Sequence, residues 1–121
     1  MPIDVGCIGE KANATRPEIE QILIWDPALR DEDTYERDLY VIRRRIEKAA
    51  IAAQIPELYL CSLSCRSVIY KGMFLAENLT DFYPDLNDPR FVSRFAIYHQ
   101  RYSTNTFPTW RLAQPFRMLA H

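Results

Sequence analysis

Two patterns of hydrophobic and polar positions occur along the chain, and each predicts a different kind of element. Between residues 34 and 53, apolar residues recur every three or four positions, which is the spacing of one helix face. Asp33 with Glu36 three residues later fits a capping box, so the pattern predicts a helix over about residues 34–53. The basic run Arg43 to Arg45 shares this helix with acidic residues, which favours a solvated face over a nucleic-acid contact.

Runs dense in β-branched and aromatic residues lie on both sides of this helix and predict strands. These runs span residues 17–25, 58–63, 67–70 and 91–100. Residues 1–16 show no period and are expected to be irregular, whereas Lys71-Gly72 is expected to turn before a short helix within 73–79. An acidic loop bounded by two prolines, residues 81–89, should be rigid. Strands with one dominant helix predict the α+β class for a single domain over residues 1–121.

The composition is that of a globular domain, with 48% hydrophobic and 26% charged residues. No long uncharged apolar run and no secretory signal is visible, so we expect a cytoplasmic protein with no membrane partner. The three cysteines form an odd, sparse set that suits a reducing compartment. Cys61 and Cys65 lack a second ligand pair at suitable spacing, so we expect buried thiols and no metal site.

Charge is spread unevenly, although the net charge is only −1. After residue 88 the chain holds five arginines and no acidic residue, which makes this segment electropositive. Arg101 would stand at the end of a predicted strand, where its planar guanidinium could hold a carboxylate through two parallel hydrogen bonds. The hydroxyls of Ser103, Thr104 and Thr106 would supply neutral donors beside it. The pattern predicts an anion site, with an ordinary arginine paired to a surface acid as the alternative.

The C-terminal residues carry a specific resemblance. Residues 99–121 read HQRYSTNTFPTW and continue through LAQPFR to LAH. This pattern closely resembles the glutaminase domain of the glutamate synthase large subunit, a class II glutamine amidotransferase. The resemblance continues upstream, in order, through residues 15–21, 40–47, 61–64 and 69–73, so it covers nearly the whole chain.

The resemblance implies a fold and an activity. It implies an incomplete piece of a four-layer αββα sandwich of the N-terminal nucleophile hydrolase type. In that family an N-terminal cysteine attacks the side-chain amide of glutamine, and the released ammonia adds to 2-oxoglutarate at a second site, where a flavin reduces the imine to glutamate. The implied partners are glutamine and the remaining domains of glutamate synthase, with no nucleic acid. FMN and an iron–sulfur cluster are expected in those other domains, and no cofactor in this segment.

Carried over residue by residue, the family motif implies substrate-binding roles. Arg101 would hold the α-carboxylate of glutamine, and the hydroxyl of Thr104 would lie near the same end. Tyr102 and Ser103 belong to the same motif, with plain packing as the alternative for each. Three nearby residues are expected to shape the loop rather than touch the ligand: Asn105, Phe107 and Trp110.

The family's nucleophile and its oxyanion hole are both expected to be missing from this chain. The family's nucleophile is an N-terminal cysteine followed by glycine, whereas this chain begins Met1-Pro2 in a region that matches the middle of the domain. Cys7 has surroundings that do not match the motif, so we expect an ordinary loop cysteine. The family has Asn-Gly, which forms the oxyanion hole, directly after the Leu-Ala-His that closes this chain. We therefore predict no catalytic residue here, and an inactive, loosely packed isolated chain.

Two alternatives come from other classes of protein. In the first, the C-terminal segment with its charge of +5 would draw RNA phosphates. Bases would stack on aromatic residues of that segment, namely Phe95, Tyr98, Tyr102, Phe107 and Trp110. In the second, the chain would be a non-catalytic glutamine-binding partner that keeps Arg101 for recognition.

Overall fold

The computed structural model describes residues 1–25, 27–28, 31–100, 105 and 107–113. These residues fall into two compact units, which are described separately. One unit comprises Met1–Gln21 together with the chain from Lys71 onward, and the other comprises Ile22–Tyr70.

Helix α2 (Glu32–Ala52) dominates the unit formed by Ile22–Tyr70 and confirms the predicted helix. Its predicted capping box is wrong. The N-cap is Asp31, whose carboxylate accepts a hydrogen bond from the backbone N–H of Thr34 at 2.9 Å. Glu36 does not return to the helix start, because its carboxylate is engaged by a neighbouring segment. The negative charges of Glu32 and Asp33 in the first turn stabilise the helix, because they lie at the positive end of its dipole.

The C-terminus of α2 closes with a left-handed residue that is not glycine. Gln54 has φ of 58° and follows the C-cap Ala53. The N–H of Gln54 donates to the carbonyl of Ile51 at 3.0 Å, and the N–H of Ile55 donates to the carbonyl of Ala50 at 2.9 Å. These two bonds form a Schellman motif, so the last carbonyls of the helix are satisfied.

The segment after α2 is held by side chains rather than by a strand ladder. The Arg43 guanidinium donates to the carbonyl of Leu60 at 2.9 Å and also pairs with Glu47 on its own helix. The backbone N–H of Ile69 donates to the hydroxyl of Ser62 at 3.3 Å, across the turn where two strands were expected to pair. The predicted strands over residues 58–63 and 67–70 are therefore wrong for this structure. Pairing with Glu47 supports the solvated-face interpretation of the Arg43 to Arg45 run.

The other unit is built from short helical turns. Near its start lie a 3₁₀ turn (Val5–Cys7) and helix α1 (Glu10–Ala14), so the prediction of an irregular N-terminus is wrong. A second 3₁₀ turn (Ala76–Asn78) leads into helix α3 (Leu79–Phe82). A third 3₁₀ turn (Pro84–Asn87) follows, where a loop was predicted. Asp and Asn side chains, and Pro84 at the start of the third turn, favour such single turns over longer helices.

Two hydrogen bonds tie these turns to the N-terminal segment. The backbone N–H of Asp4 donates to the carbonyl of Phe82 at 3.1 Å. The side-chain amide of Asn78 donates to the carbonyl of Cys7 at 2.6 Å. The core of this unit therefore forms between segments about 70 residues apart in sequence, and Phe82 is the most deeply buried of its described side chains.

No strand occurs among the residues that the structure describes. The expected strands 17–25 and 91–100 form no ladder, and their apolar side chains are largely exposed. An extended segment becomes a strand only when a neighbour satisfies its backbone groups, and a hydrophobic pattern alone does not supply that neighbour. The helical part of the α+β prediction is seen, whereas its sheet is not.

Candidate functional site

The predicted substrate-binding residues lie outside the described part of the chain. These are Arg101, Tyr102, Ser103 and Thr104, together with the neighbouring Thr106. The structure does describe the residues on either side, up to residue 100 and again at 105 and 107–113. The candidate site is therefore characterised through the segment 107–113, which we call the C-terminal anchor.

Trp110 fixes the C-terminal anchor in the interior of its unit. Its side chain is only 4% exposed, and its ring lies 5.7 Å from that of Phe82. The indole Nε1–H donates to the carbonyl oxygen of Ala12 at 2.8 Å. Burying an indole is favourable when its N–H finds a partner, and here both conditions hold. The expectation that Trp110 shapes the loop agrees with this packing.

The rings around Trp110 form a continuous aromatic cluster. Phe82 lies 5.0 Å from Phe74 and 4.8 Å from Tyr83, the second pair being edge to face. Phe74 and Tyr83 are themselves 6.0 Å apart and edge to face. Such pairs add about 0.5–1.5 kcal/mol each beyond the area they bury. The cluster gives the C-terminal anchor a rigid support.

A polar frame crosses the same region. The ammonium group of Lys71 donates to the carbonyl oxygen of Arg111 at 2.6 Å. The hydroxyl of Tyr83 donates to the carbonyl oxygen of Lys71 at 2.8 Å. The sequence predicts only a turn at Lys71. Its hydrogen bond to a main-chain carbonyl 40 residues away cannot be predicted from the spacing of nearby residues.

Gly72 lies against the aromatic cluster at a distance that only glycine allows. A Cβ added there would meet the ring of Phe74 in a severe clash and would lie 2.8 Å from Cζ3 of Trp110. The absence of a side chain lets both rings approach the backbone. Gly72 is therefore part of the support of the C-terminal anchor, a role that turn propensity does not reveal.

The described residues of the C-terminal loop bear on its expected shape and on the RNA-binding alternative. Asn105 has φ of 62°, a left-handed conformation that asparagine tolerates better than most residues. Phe107 is 94% exposed, so it does not pack into the loop support. Trp110 is buried and cannot offer a face to a nucleic-acid base. The RNA-binding alternative loses one of its proposed stacking residues.

Cys7 has the surroundings of an inert thiol. It is half-buried, and its Sγ–H donates to the carbonyl oxygen of Asp4 at 3.2 Å. Partial burial, and next the negative charge of Asp4, raise the pKa of the Cys7 thiol above its ordinary value. A nucleophilic cysteine needs the opposite shift, which agrees with the expectation of an ordinary loop cysteine.

The unit formed by Ile22–Tyr70 carries a separate polar cluster at the start of α2. The carboxylate of Glu36 accepts hydrogen bonds from the hydroxyl of Ser64 and the backbone N–H of Cys65, both at 2.7 Å. The Ser64 hydroxyl is the main reason why the pKa of Glu36 lies below its usual value. Arg66 pairs with Glu32 at 3.1 Å and with Asp33 at 2.6 Å. Cys65 is exposed here, so the expectation of a buried thiol is wrong for this residue.

Within the described ranges, no group of three or more His, Cys, Asp or Glu side chains is placed to hold a metal ion. Helices long and apolar enough to cross a membrane are likewise absent from this part of the chain.

The chain belongs to the class-II glutamine amidotransferases, whose family pattern it matches over residues 1–121. It is 70% identical over 121 residues to the glutamate synthase [NADPH] large chain of Azospirillum brasilense. It is 48% identical over 122 residues to a chloroplastic ferredoxin-dependent glutamate synthase of Oryza sativa subsp. japonica. It is 43% identical over 122 residues to the glutamate synthase [NADPH] large chain of Bacillus subtilis.

Each of these alignments covers all of the chain but only 8% of the relative, so the chain spans about 8% of the length of the curated relatives it matches. The resemblance drawn from the sequence is confirmed by these matches, and the RNA-binding alternative is not supported. The family implies an N-terminal nucleophile hydrolase fold, although the described residues contain no strand.

Proposed function

We propose that this chain is a segment of the glutaminase domain of a glutamate synthase large chain, which hydrolyses glutamine to glutamate and ammonia. The observation that carries the proposal is 70% identity over all 121 residues to a glutamate synthase large chain. The ammonia would pass to another part of the same enzyme and aminate 2-oxoglutarate reductively. FMN and an iron–sulfur cluster would bind there, and no residue of this segment is assigned to them.

Arg101 is proposed to hold the α-carboxylate of glutamine through its two parallel N–H donors. Thr104 would place its hydroxyl near the same end of the substrate, with Tyr102 and Ser103 as further members of the motif. Two features support this assignment: the surplus of arginine over acid after residue 88, and the family motif that surrounds Arg101. A carboxylate entering this segment would meet no like charge from its side chains.

The groups that cut the amide bond are proposed to lie outside these 121 residues. Cys7 is a poor nucleophile here because its thiol is half-buried, donates to a carbonyl and has a raised pKa. The segment would therefore bind and orient glutamine while other parts of the domain supply the nucleophile and the oxyanion donors. Its partners would be glutamine and the rest of the enzyme, in the cytoplasm, with neither nucleic acid nor membrane involved.

The segments predicted as strands are proposed to pair only in the whole domain. Residues 17–25 and 91–100 lie in no helix or strand of the structure and have largely exposed apolar side chains, as unpaired strands would. In the whole domain they would join the sheets of the αββα sandwich that the family implies. The residues on either side of Arg101 would then be held by a ladder on one side and by the C-terminal anchor on the other.

A chimeric large chain provides the test. In the Azospirillum brasilense large chain, these 121 residues replace the matching ones, which is straightforward because the two segments align over 121 residues. Arg101→Ala should raise KM for glutamine about 10–100-fold, the loss expected for a hydrogen-bonded charge pair. The rate of glutamate formation from added ammonia should stay unchanged, because ammonia bypasses the glutamine site.

Arg94→Ala is the matched control, since Arg94 is an exposed arginine of the same electropositive segment. It should leave KM for glutamine unchanged. A normal KM in the Arg101→Ala chimera would refute the proposed carboxylate site.

A further inference from the structure

The C-terminal anchor follows the proposed glutamine-binding motif directly in sequence. Arg101 precedes Trp110 by nine residues, and the described part of the anchor begins at residue 107. A loop whose one end is fixed samples fewer arrangements, so less ordering is required when a ligand binds. Because Arg101 lies close to the anchor in sequence, the free energy of glutamine binding would depend on how firmly the anchor is held.

Two independent bonds hold the anchor. The indole of Trp110 is buried against Phe82 and donates to the carbonyl of Ala12. One residue further, the carbonyl of Arg111 accepts a charge-assisted hydrogen bond from Lys71 at 2.6 Å. Charge-assisted bonds are roughly twice as strong as neutral ones, so the Lys71 contact, although exposed to solvent, constrains the main chain at this point.

Lys71 is itself fixed from the other side. The hydroxyl of Tyr83, which is buried, donates to the carbonyl of Lys71 at 2.8 Å. Gly72 lets the ring of Trp110 approach the same stretch of backbone. The two hydrogen bonds of Lys71, one from Tyr83 and one to Arg111, therefore link the aromatic core to the main chain of the anchor.

We propose that Lys71 and Trp110 are positioning residues for glutamine binding, acting through the C-terminal anchor on the loop that carries Arg101. This inference rests on the proposed function, because it takes Arg101 to be the carboxylate-binding residue. Neither side chain touches the substrate in this proposal. Their loss should weaken the binding of glutamine while leaving the chemical step, and the use of ammonia, intact.

The test uses the chimeric large chain with Lys71→Met, which keeps the aliphatic stem and removes the donor. We expect KM for glutamine to rise about tenfold, the effect of losing one hydrogen bond to a charged group. kcat with glutamine and the rate with ammonia should each change less than about twofold, since no reacting group is altered. Lys71→Arg, which keeps a cationic donor, should restore KM to within about threefold of the unmodified value.

A second variant keeps the test decisive if Lys71→Met does not fold. Trp110→Phe preserves an aromatic ring but removes the N–H that bonds Ala12, and it should also raise KM for glutamine selectively. Lys48→Met, at an exposed position of α2, is the control for the first variant. Trp25→Phe, at a tryptophan that is 81% exposed, is the control for the second. Both controls should leave KM unchanged.

The outcomes separate this inference from the proposed function. If Arg101→Ala raises KM but Lys71→Met and Trp110→Phe do not, the positioning role is wrong and the carboxylate site stands. An equal fall in the glutamine-dependent and ammonia-dependent rates would also overturn the inference, because that result indicates a general structural role. If Arg101→Ala leaves KM unchanged, both proposals fall.

Discussion

The indole N–H of Trp110 donates to the carbonyl oxygen of Ala12 at 2.8 Å, although the two residues are 98 positions apart. This bond satisfies the only polar group of a buried ring, so the burial of Trp110 carries no desolvation penalty for an unpaired donor. It also places the residues just after the proposed substrate motif against helix α1. A long-range contact of this kind explains how a short anchor can be fixed without regular secondary structure.

Gly72→Ala should destabilise the support of the C-terminal anchor. The new methyl group would meet the rings of Phe74 and Trp110, and overpacking of this kind costs about 1–3 kcal/mol. We expect faster amide hydrogen exchange in peptides from residues 71–83 and 107–113 of the chimeric large chain. Gly9→Ala is the matched control, because a Cβ there meets nothing within 4 Å. Equal exchange in the two variants would contradict the close approach at Gly72.

Gln54→Gly should stabilise the C-terminus of α2. Gln54 occupies a left-handed conformation with φ of 58°, which costs a residue with a Cβ about 1 kcal/mol relative to glycine. Slower exchange of the amides that close the Schellman motif, at residues 54 and 55, would be the sign of this gain. Gln54→Ala keeps the Cβ and should bring no such gain. Faster exchange in the glycine variant would show that the helix end is not closed in this way.

Acidification should loosen the turn that contacts the start of α2. The pKa of Glu36 is depressed, chiefly by the hydroxyl of Ser64, so its stabilising contribution is complete above the unperturbed pKa of about 4.3. The contribution is lost as the pH falls through the lower pKa of the folded state, because the unfolded state binds the proton more readily. Hydrogen exchange of the peptide 61–68, corrected for its intrinsic pH dependence, should accelerate below about pH 4.3.

Glu36→Gln isolates the contribution of this carboxylate. The variant keeps an oxygen acceptor of the same shape but cannot titrate, so the acceleration of exchange at low pH should be smaller. A pH dependence identical to that of the unmodified chain would show that Glu36 is not the source of the effect.

Cys7 should react slowly with alkylating agents at neutral pH. Partial burial and the charge of Asp4 raise its pKa, so little thiolate is present. The rate of alkylation by iodoacetamide, followed at Cys7 by mass spectrometry, should reach half its maximum above about pH 8.5, the value for a free thiol. Asp4→Asn retains an acceptor for the Gly6 amide and should shift the profile to lower pH. Rapid modification at pH 7 would argue against an inert thiol.

The isolated chain of 121 residues should be loosely packed and should release no ammonia from glutamine. Among the described residues, seven hydrophobic side chains are buried, whereas twenty-one large hydrophobic side chains are exposed. So small a core cannot offset the entropy of ordering a chain of this length. We expect a broad, non-cooperative thermal transition by circular dichroism and poorly dispersed amide signals. A sharp cooperative melt would overturn this expectation.

Sequence reasoning succeeded where structure is determined locally. Helix α2 follows from the spacing of its apolar residues. The cap was misassigned because Asp31 and Asp33 are both good N-caps, and local spacing cannot tell which carboxylate is needed elsewhere. The structure uses Glu36, the expected partner of Asp33, to bind Ser64 and Cys65 instead.

The sheet and the polar frame were beyond the reach of local patterns. Residues 91–100 have the composition of a strand, but a strand also needs a pairing partner, and composition carries no information about one. Lys71 binds a main-chain carbonyl, which every residue type possesses, so no spacing or residue type marks Arg111 as its acceptor. The substrate-binding assignment of Arg101 came from the family motif and stays a prediction.

The hydrogen bond between Trp110 and Ala12 also limits when this part of the protein can fold during synthesis. Ribosomes add about 5–20 residues per second. Ala12 is therefore synthesised roughly 5–20 s before Trp110, whose indole N–H donates to the Ala12 carbonyl. During that interval helix α1 lacks the hydrogen bond from Trp110. The anchor can therefore close on helix α1 only after residue 110 has been made, and the speed of translation sets the length of that delay.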